Sequence, residues 1–229
     1  MGTVIATDNF NRADTWPSGD LGANWTVMTA GLAIADNAVK SMPFFTQPNY
    51  GSLSFYNAVS APNDHGSFVE LVTVPGGPVM GPCVRCSGTN LATSNAYWAY
   101  ILSDDRTIIL KIINGSASVI SSTVTPGWAT NDIAGITAVG TLITIYKNGS
   151  FVVSGTDSDL ATGQFGIGAY DQSNVLDNWS GTDEGSGGGS TFPGYQSPFG
   201  WKRNRQFDSP FKERLFREQI KHAHILKAA

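Results

Sequence analysis

Gly140-Thr141-Leu142-Ile143-Thr144-Ile145-Tyr146-Lys147-Asn148-Gly149-Ser150-Phe151-Val152-Val153-Ser154-Gly155 decides the fold class of this 229-residue chain. Two runs rich in β-branched and aromatic residues flank Asn148-Gly149, a pair that accepts the positive φ angles of a type I′ turn, so the stretch predicts a β-hairpin. Its first arm carries apolar groups on both faces, Leu142 and Tyr146 on one, Ile143 and Ile145 on the other. That pattern predicts a strand buried inside a layered sheet.

Working outward, the flanking sequence repeats the same signals. A short strand precedes Asp8, a second run begins at Leu21 to Val27, and Leu32 to Val39 reads as a hairpin around Asp36-Asn37. Ser52 to Val59, Ser67 to Val74, Val79 to Cys86, Ala96 to Leu102 and Thr107 to Ile113 follow, the last two joined across Asp104-Asp105. Ala117 to Val124 and Ile133 to Val139 precede the central hairpin; Gly163 to Tyr170 and Val175 to Trp179 come after it. Turn signals recur every eight to twelve residues or so, the spacing of a sandwich or barrel. No helix signal appears before residue 180, and the all-β domain is expected to span residues 1–182.

Charged residues make up 14% of the chain, against about a quarter in an average globular protein, which fits strands joined by many turns. The net charge of −4 hides a split: residues 1–200 carry six Lys and Arg against fifteen Asp and Glu, whereas residues 201–229 carry eight against three. Between them, residues 183–200 include Glu184-Gly185-Ser186-Gly187-Gly188-Gly189-Ser190, a composition that predicts a flexible linker. The segment 201–229 reads as a basic amphipathic helical tail. Asp208 or Ser209 caps it, Pro210 fits the first helical position, and no breaker follows. Its apolar residues fall on two neighbouring faces, Phe211, Leu215 and Leu226 on one, Phe216 and Ile220 on the other; Trp201, Arg203, Arg205 and Phe207 precede them. A lone helix of this length is marginal in water, so the stripe predicts a docking peptide that anchors to a partner.

Cys83 and Cys86 lie in one predicted strand. At about 3.3 Å per residue their Cα atoms would stand roughly 10 Å apart with side chains on opposite faces, which predicts two free, buried thiols. No second ligand pair is spaced for zinc. No apolar run approaches the roughly 18 residues of a membrane span, and no secretory leader precedes the first strand.

Asp8-Asn9-Phe10-Asn11-Arg12, Leu21-Gly22-Ala23-Asn24-Trp25, Val84-Arg85, Leu142-Thr144-Tyr146 with Asn148-Gly149, Gly163-Gln164-Phe165-Gly166-Ile167-Gly168 and Leu176-Asp177-Asn178-Trp179 together resemble the concanavalin A-like lectin/glucanase superfamily. More narrowly, they are similar to the laminin-G-like modules of bacteriophage virion proteins and bacterial surface proteins. The resemblance covers about residues 3–182. It implies a two-sheet antiparallel jelly roll in which the first and last strands lie side by side, so that Asp8-Asn9-Phe10 neighbours Asp177-Asn178-Trp179. It does not fix function, because the fold serves lectins, hydrolases and structural modules.

The chemistry-bearing residues argue against catalysis. A glycoside hydrolase needs two carboxylates about 5 to 9 Å apart. The Glu-x-Asp-x-x-Glu pattern of the superfamily's glucanases is absent, and Phe68-Val69-Glu70-Leu71-Val72 offers no second carboxylate on the face of Glu70. His65 reads as a surface-turn histidine, and His222 and His224 point to different faces of the predicted tail helix. Nucleic acid is a poor fit for a tail as apolar as it is basic. Asp157, Asp159, Asp171 and Asp177, with Asn174 and Asp8, fall in or beside turns and are candidates for a structural calcium, the one cofactor considered. Trp98, Tyr100, Trp128 and Tyr170 are candidates for carbohydrate binding. The sequons at Asn24, Asn114, Asn148 and Asn178 read as turn and strand asparagines. These readings converge on a non-enzymatic phage virion protein of capsid-decoration or head-fibre type, made in the host cytoplasm without a signal peptide. It would display a jelly roll that binds cell-surface carbohydrate, with its tail on a major capsid or other virion protein. A tail-fibre or tail-tip component, a polysaccharide hydrolase and a free lectin are the competing readings, and a homotrimer would suit a fibre.

Overall fold

The computed structural model describes residues 2–16, 18–41, 51–73, 80–102, 104, 106–124, 127–170 and 172–185. Among the described residues, fifteen strands form two antiparallel sheets, with one short 3-10 turn at Leu91–Thr93. The eight-stranded sheet holds β1 (Thr3–Asp8), β3 (Leu32–Ala35), β4 (Ala38–Ser41), β6 (His65–Thr73), β11 (Asp132–Val139), β12 (Leu142–Lys147), β13 (Ser150–Thr156) and β15 (Val175–Asp183). The seven-stranded sheet holds β2 (Trp25–Val27), β5 (Ser52–Tyr56), β7 (Met80–Ser87), β8 (Asn95–Ile101), β9 (Arg106–Ile113), β10 (Ser116–Val124) and β14 (Gln164–Ala169). Strand order is β13-β12-β11-β6-β15-β4-β3 in the first, with β1 also on β15, and β10-β9-β8-β7-β14-β5-β2 in the second.

The central hairpin forms as its sequence predicts, with Asn148 at φ 51° and Gly149 at φ 80°. Its depth is different. Ile143 and Ile145 are fully buried toward the other sheet, whereas on the opposite face Thr144 is buried but Leu142 is 45% exposed.

The core lies between the sheets in two clusters. One joins Val84, Tyr97, Ala99 and Ile109 to Ile136, Ala138, Ile143 and Ile145. The other is an aromatic chain. Phe10 packs 5.7 Å from Trp25, which meets Tyr56 at 5.3 Å and Trp179 at 5.0 Å; Phe165 links Trp179 to His65. Edge-on and tilted contacts of this kind add about 1 kcal/mol each beyond area burial.

The first and last strands pair, with Asp8 opposite Trp179, as the family resemblance implies. Asp8 also ends the aromatic chain. Its carboxylate accepts two N–H bonds from Arg12 at 2.7 and 2.9 Å, one from the Trp25 indole at 2.8 Å and one from the Phe10 amide at 2.8 Å. Charge-assisted, bidentate bonding of this kind tolerates burial because every lone pair has a donor. Phe10 itself sits at φ 52°, and Arg12 comes back over Asp8.

Asp8→Ala leaves the indole and a guanidinium that is 37% exposed without their acceptor. The expected cost is about 3 kcal/mol, the low end for breaking a buried pair. Urea unfolding should show it as a lower midpoint at unchanged slope.

Candidate functional site

A third apolar cluster has a different origin from the two core clusters. Leu53, Cys83, Cys86, Ala96, Trp98, Leu110 and Ile112 all come from strands of the seven-stranded sheet, joined by Met28. They lie on that sheet's outer face, because their alternating neighbours Val84, Tyr97, Ala99 and Ile109 face the other sheet. Phe55, Tyr100, Leu102 and Tyr170 pack on this floor and are half-buried. Three of the four carbohydrate-binding candidates therefore meet here: Trp98, Tyr100 and Tyr170.

Their roles differ. Trp98 is fully buried and donates its indole N–H to Gly81 O at 3.0 Å. It lies across β14 where Gly168 has no side chain; a Cβ there would stand 2.7 Å from the indole. Tyr100 meets Trp98 edge-on at 5.0 Å, and burial, then the neighbouring Tyr170, pushes its hydroxyl pKa up. Trp98 is thus the support and Tyr100 with Tyr170 the accessible platform. Trp128 belongs elsewhere. It is only 8% exposed, packs in the core between the sheets, donates to Thr107 Oγ1 at 2.9 Å and lies under Lys147.

The two cysteines correct the reading that placed them on opposite faces. Both are free and buried, and both point to the outer face. The cause is a bulge. Arg85 adopts φ 52°, and the register against β8 and β14 shifts around it, which returns Cys86 to the side of Cys83. Burial, then the neighbouring thiol, holds Cys83 protonated.

The bulge aims Arg85 at the end of the sandwich. Its side chain is 3% exposed and donates to Leu160 O at 2.6 Å, Gly140 O at 2.6 Å and Asn63 O at 3.3 Å, with Asp64 3.9 Å away. One guanidinium therefore ties three loops together. They border a cavity of about 750 Å³ that Asn63, Asp64, Thr141, Ser158 and Asp183 also line. The Arg85 amide donates to His65 Nε2 at 3.0 Å, while His65 Nδ1 bonds Pro62 O at 2.6 Å. His65 is accordingly a buried strand residue rather than a surface-turn one. It sits as the neutral tautomer, and burial pushes its pKa down to about 4.

The acidic candidates separate. Asp157 and Asp159 do come together, on the ammonium of Lys111, which lies 2.6 Å from each. Tyr97 O–H also donates to Asp157 at 2.6 Å; burial and that bond push the phenol up to about 12. Burial alone would raise the Asp157 pKa, but Lys111 and Tyr97 hold it below its ordinary value. A lysine charge thus fills the place a cation would take between these carboxylates. Asp177 lies on β15, separated by three strands of the same sheet from β13, which Asp157 and Asp159 follow, and Asp171 falls outside the described residues. The anchoring residues Trp201, Arg203, Arg205, Phe207, Phe211, Leu215, Phe216, Ile220 and Leu226 fall outside them as well, as do His222 and His224.

Glu70 needs a correction too. Its second carboxylate comes from β15, where Asp177 is its cross-strand partner. Asn178, at φ 51° in a second bulge, donates from one amide nitrogen to Glu70 at 2.7 Å and to Asp177 at 3.1 Å. A single strand could not reveal this pairing.

No protein-family model matches the chain, and no curated protein matches it in sequence. Among solved structures it is similar to a carbohydrate-binding module, CBM66, from Bacillus subtilis. The TM-score is 0.55 at 18% identity over 70% of this chain and 96% of that one. It is also similar to a protein of unknown function with a galectin-like fold from the same organism, at TM-score 0.58 and 9% identity over 79% and 96%. The fold is a concanavalin A-like jelly roll. In this jelly roll the outer face of the seven-stranded sheet carries the aromatic platform, and the loops clamped by Arg85 close one end.

Sequence reasoning on the jelly roll underrated Arg85 and His65, whose signal is a charged and a titratable residue set within otherwise apolar strands. Their burial has a pH consequence. The unfolded histidine takes up a proton near pH 6.5, the folded one only near 4. Between those values the unfolded state binds one more proton, so stability falls on acidification by about 1.4 kcal/mol per pH unit, about 3 kcal/mol in all. Urea unfolding across this range should show that slope, and His65→Gln should lack it.

Proposed function

We propose that this chain is a non-enzymatic recognition module of a bacteriophage particle, of capsid-decoration or head-fibre type. Its jelly roll binds cell-surface polysaccharide through Tyr100 and Tyr170, and residues 201–229 anchor it to another virion protein. The observation that carries the binding half is the aromatic platform itself. Tyr100 and Tyr170 stand half-exposed on the outside of a sheet whose core contacts are made by its other face. Flat aromatic faces with a hydroxyl at the edge suit a sugar ring, which is apolar on its face and polar at its rim. Solved structures of the same fold include a carbohydrate-binding module. The particle half rests on the resemblance to laminin-G-like virion modules and on the charge split between residues 1–200 and 201–229.

Two measurements test it. In affinity electrophoresis through host-surface polysaccharide, Tyr100→Ala and Tyr170→Ala should each weaken binding by about ten-fold, equivalent to ~1.4 kcal/mol, with the variants still folding cooperatively at a slightly lower melting temperature. Trypsin applied to purified particles should release the jelly roll while peptides beyond Lys202 stay protected. Absence of the chain from particles would sink the virion role.

A second reading has one specific observation behind it. Glu70 and Asp177 are cross-strand partners that both accept from the Asn178 amide, and glycoside hydrolysis calls for two neighbouring carboxylates. If the chain is a hydrolase, incubation shortens the polysaccharide and Glu70→Gln abolishes the shortening.

A further inference from the structure

Trp25, Trp98, Trp128 and Trp179 are buried, but Trp16 is 36% exposed. It stands at the rim of a depression of about 390 Å³, lined by Asp14, Trp16, Ala35, Asp36, Lys40 and Gln172. From the geometry we infer that this depression is a second saccharide subsite, which takes one neutral hexose unit with Trp16 as its stacking face. The inference deepens the polysaccharide-recognition reading and rests on it, but uses a different part of the jelly roll.

Three features carry it. First, the loop is held before any ligand arrives. The amides of Thr15 and Trp16 both donate to Ile34 O, at 3.0 and 3.3 Å, Thr15 Oγ1 accepts from the Ile34 amide at 2.9 Å, and Ser18 turns back onto Thr15 O. A loop already held in place binds with less ordering cost than a mobile one. Second, the polar groups around it suit hydroxyls. Asp14 Oδ1 receives the Asp36 amide at 3.0 Å, which fixes that carboxylate beside the indole; Lys40 donates to Asp36 at 2.9 Å, and Gln172 adds an amide with both donors and an acceptor. Third, the charge is nearly balanced. Two carboxylates against one ammonium repel an acidic sugar and leave a neutral one favoured. The volume falls within the range of small-ligand pockets.

The test follows the indole N–H signal of Trp16 in the isotopically labelled full chain, assigned by its loss in Trp16→Phe. Methyl glucoside, methyl galactoside and N-acetylglucosamine are titrated separately, with glucuronate and choline as acidic and cationic comparators. At least one neutral sugar should move the signal saturably. Asp14→Asn should weaken that response about ten-fold, and Trp16→Ala should abolish the saturable sugar-induced shifts of the Asp36 and Lys40 backbone amides at an unchanged melting temperature. A signal that stays still, drifts without saturation, or answers only to glucuronate or choline overturns the inference. The platform reading fails separately: it is contradicted if Trp16 saturates but Tyr100→Ala leaves polysaccharide binding intact. Loss of polysaccharide binding in Tyr100→Ala with a silent Trp16 signal contradicts the subsite alone.

Discussion

The outer face of the seven-stranded sheet depends on a missing side chain. Gly168 lets the Trp98 indole lie against the backbone of β14, and Gly166 makes similar room for Cys83 and Cys86. With those side chains folded flat, a face that would otherwise bristle becomes a floor. Tyr100 and Tyr170 then stand on it. Any Cβ at position 168 would force the indole up by a large fraction of an ångström, because packed interiors hold no spare volume.

Two bulges shape the rest. At Arg85 the extra residue turns a charged side chain inward at the end of the sandwich, where carbonyls from three loops receive it. At Asn178 it brings an amide between carboxylates from adjacent strands. Both residues take positive φ without being glycine, a strained choice that persists because several hydrogen bonds hold it. Bulges re-aim side chains where a regular strand would alternate them, and in this protein they determine which polar groups meet.

That explains what could be read from the sequence. The central hairpin was legible because Asn-Gly specifies a turn locally, and the pairing of Asp8 with Trp179 was legible because the motifs at both ends resemble a known fold. The faces of Cys83 and Cys86, and the partner of Glu70, were not. Each depends on a one-residue register shift that no local pattern announces. The aromatic candidates divided for a related reason. Trp98 sits in a run apolar on both faces and Trp128 in a Pro-Gly turn sequence, so periodicity could not separate support from platform, and the glycine partner of Trp98 lies 70 residues away on β14. Asp157 and Asp159 carried a correct hint of proximity, but the cation between them is Lys111 of β9.

The sheets thus present two chemically distinct outer surfaces, an aromatic one over Trp98 and a polar one around Glu70, Asp177 and Asn178. Chemical-shift mapping of host-surface polysaccharide on the labelled full chain distinguishes them most directly. Binding by the platform predicts shifts concentrated at Phe55, Tyr100, Leu102 and Tyr170, with polysaccharide length unchanged. Shifts centred on Glu70 and Asp177, accompanied by shorter chains, would contradict a non-catalytic recognition module.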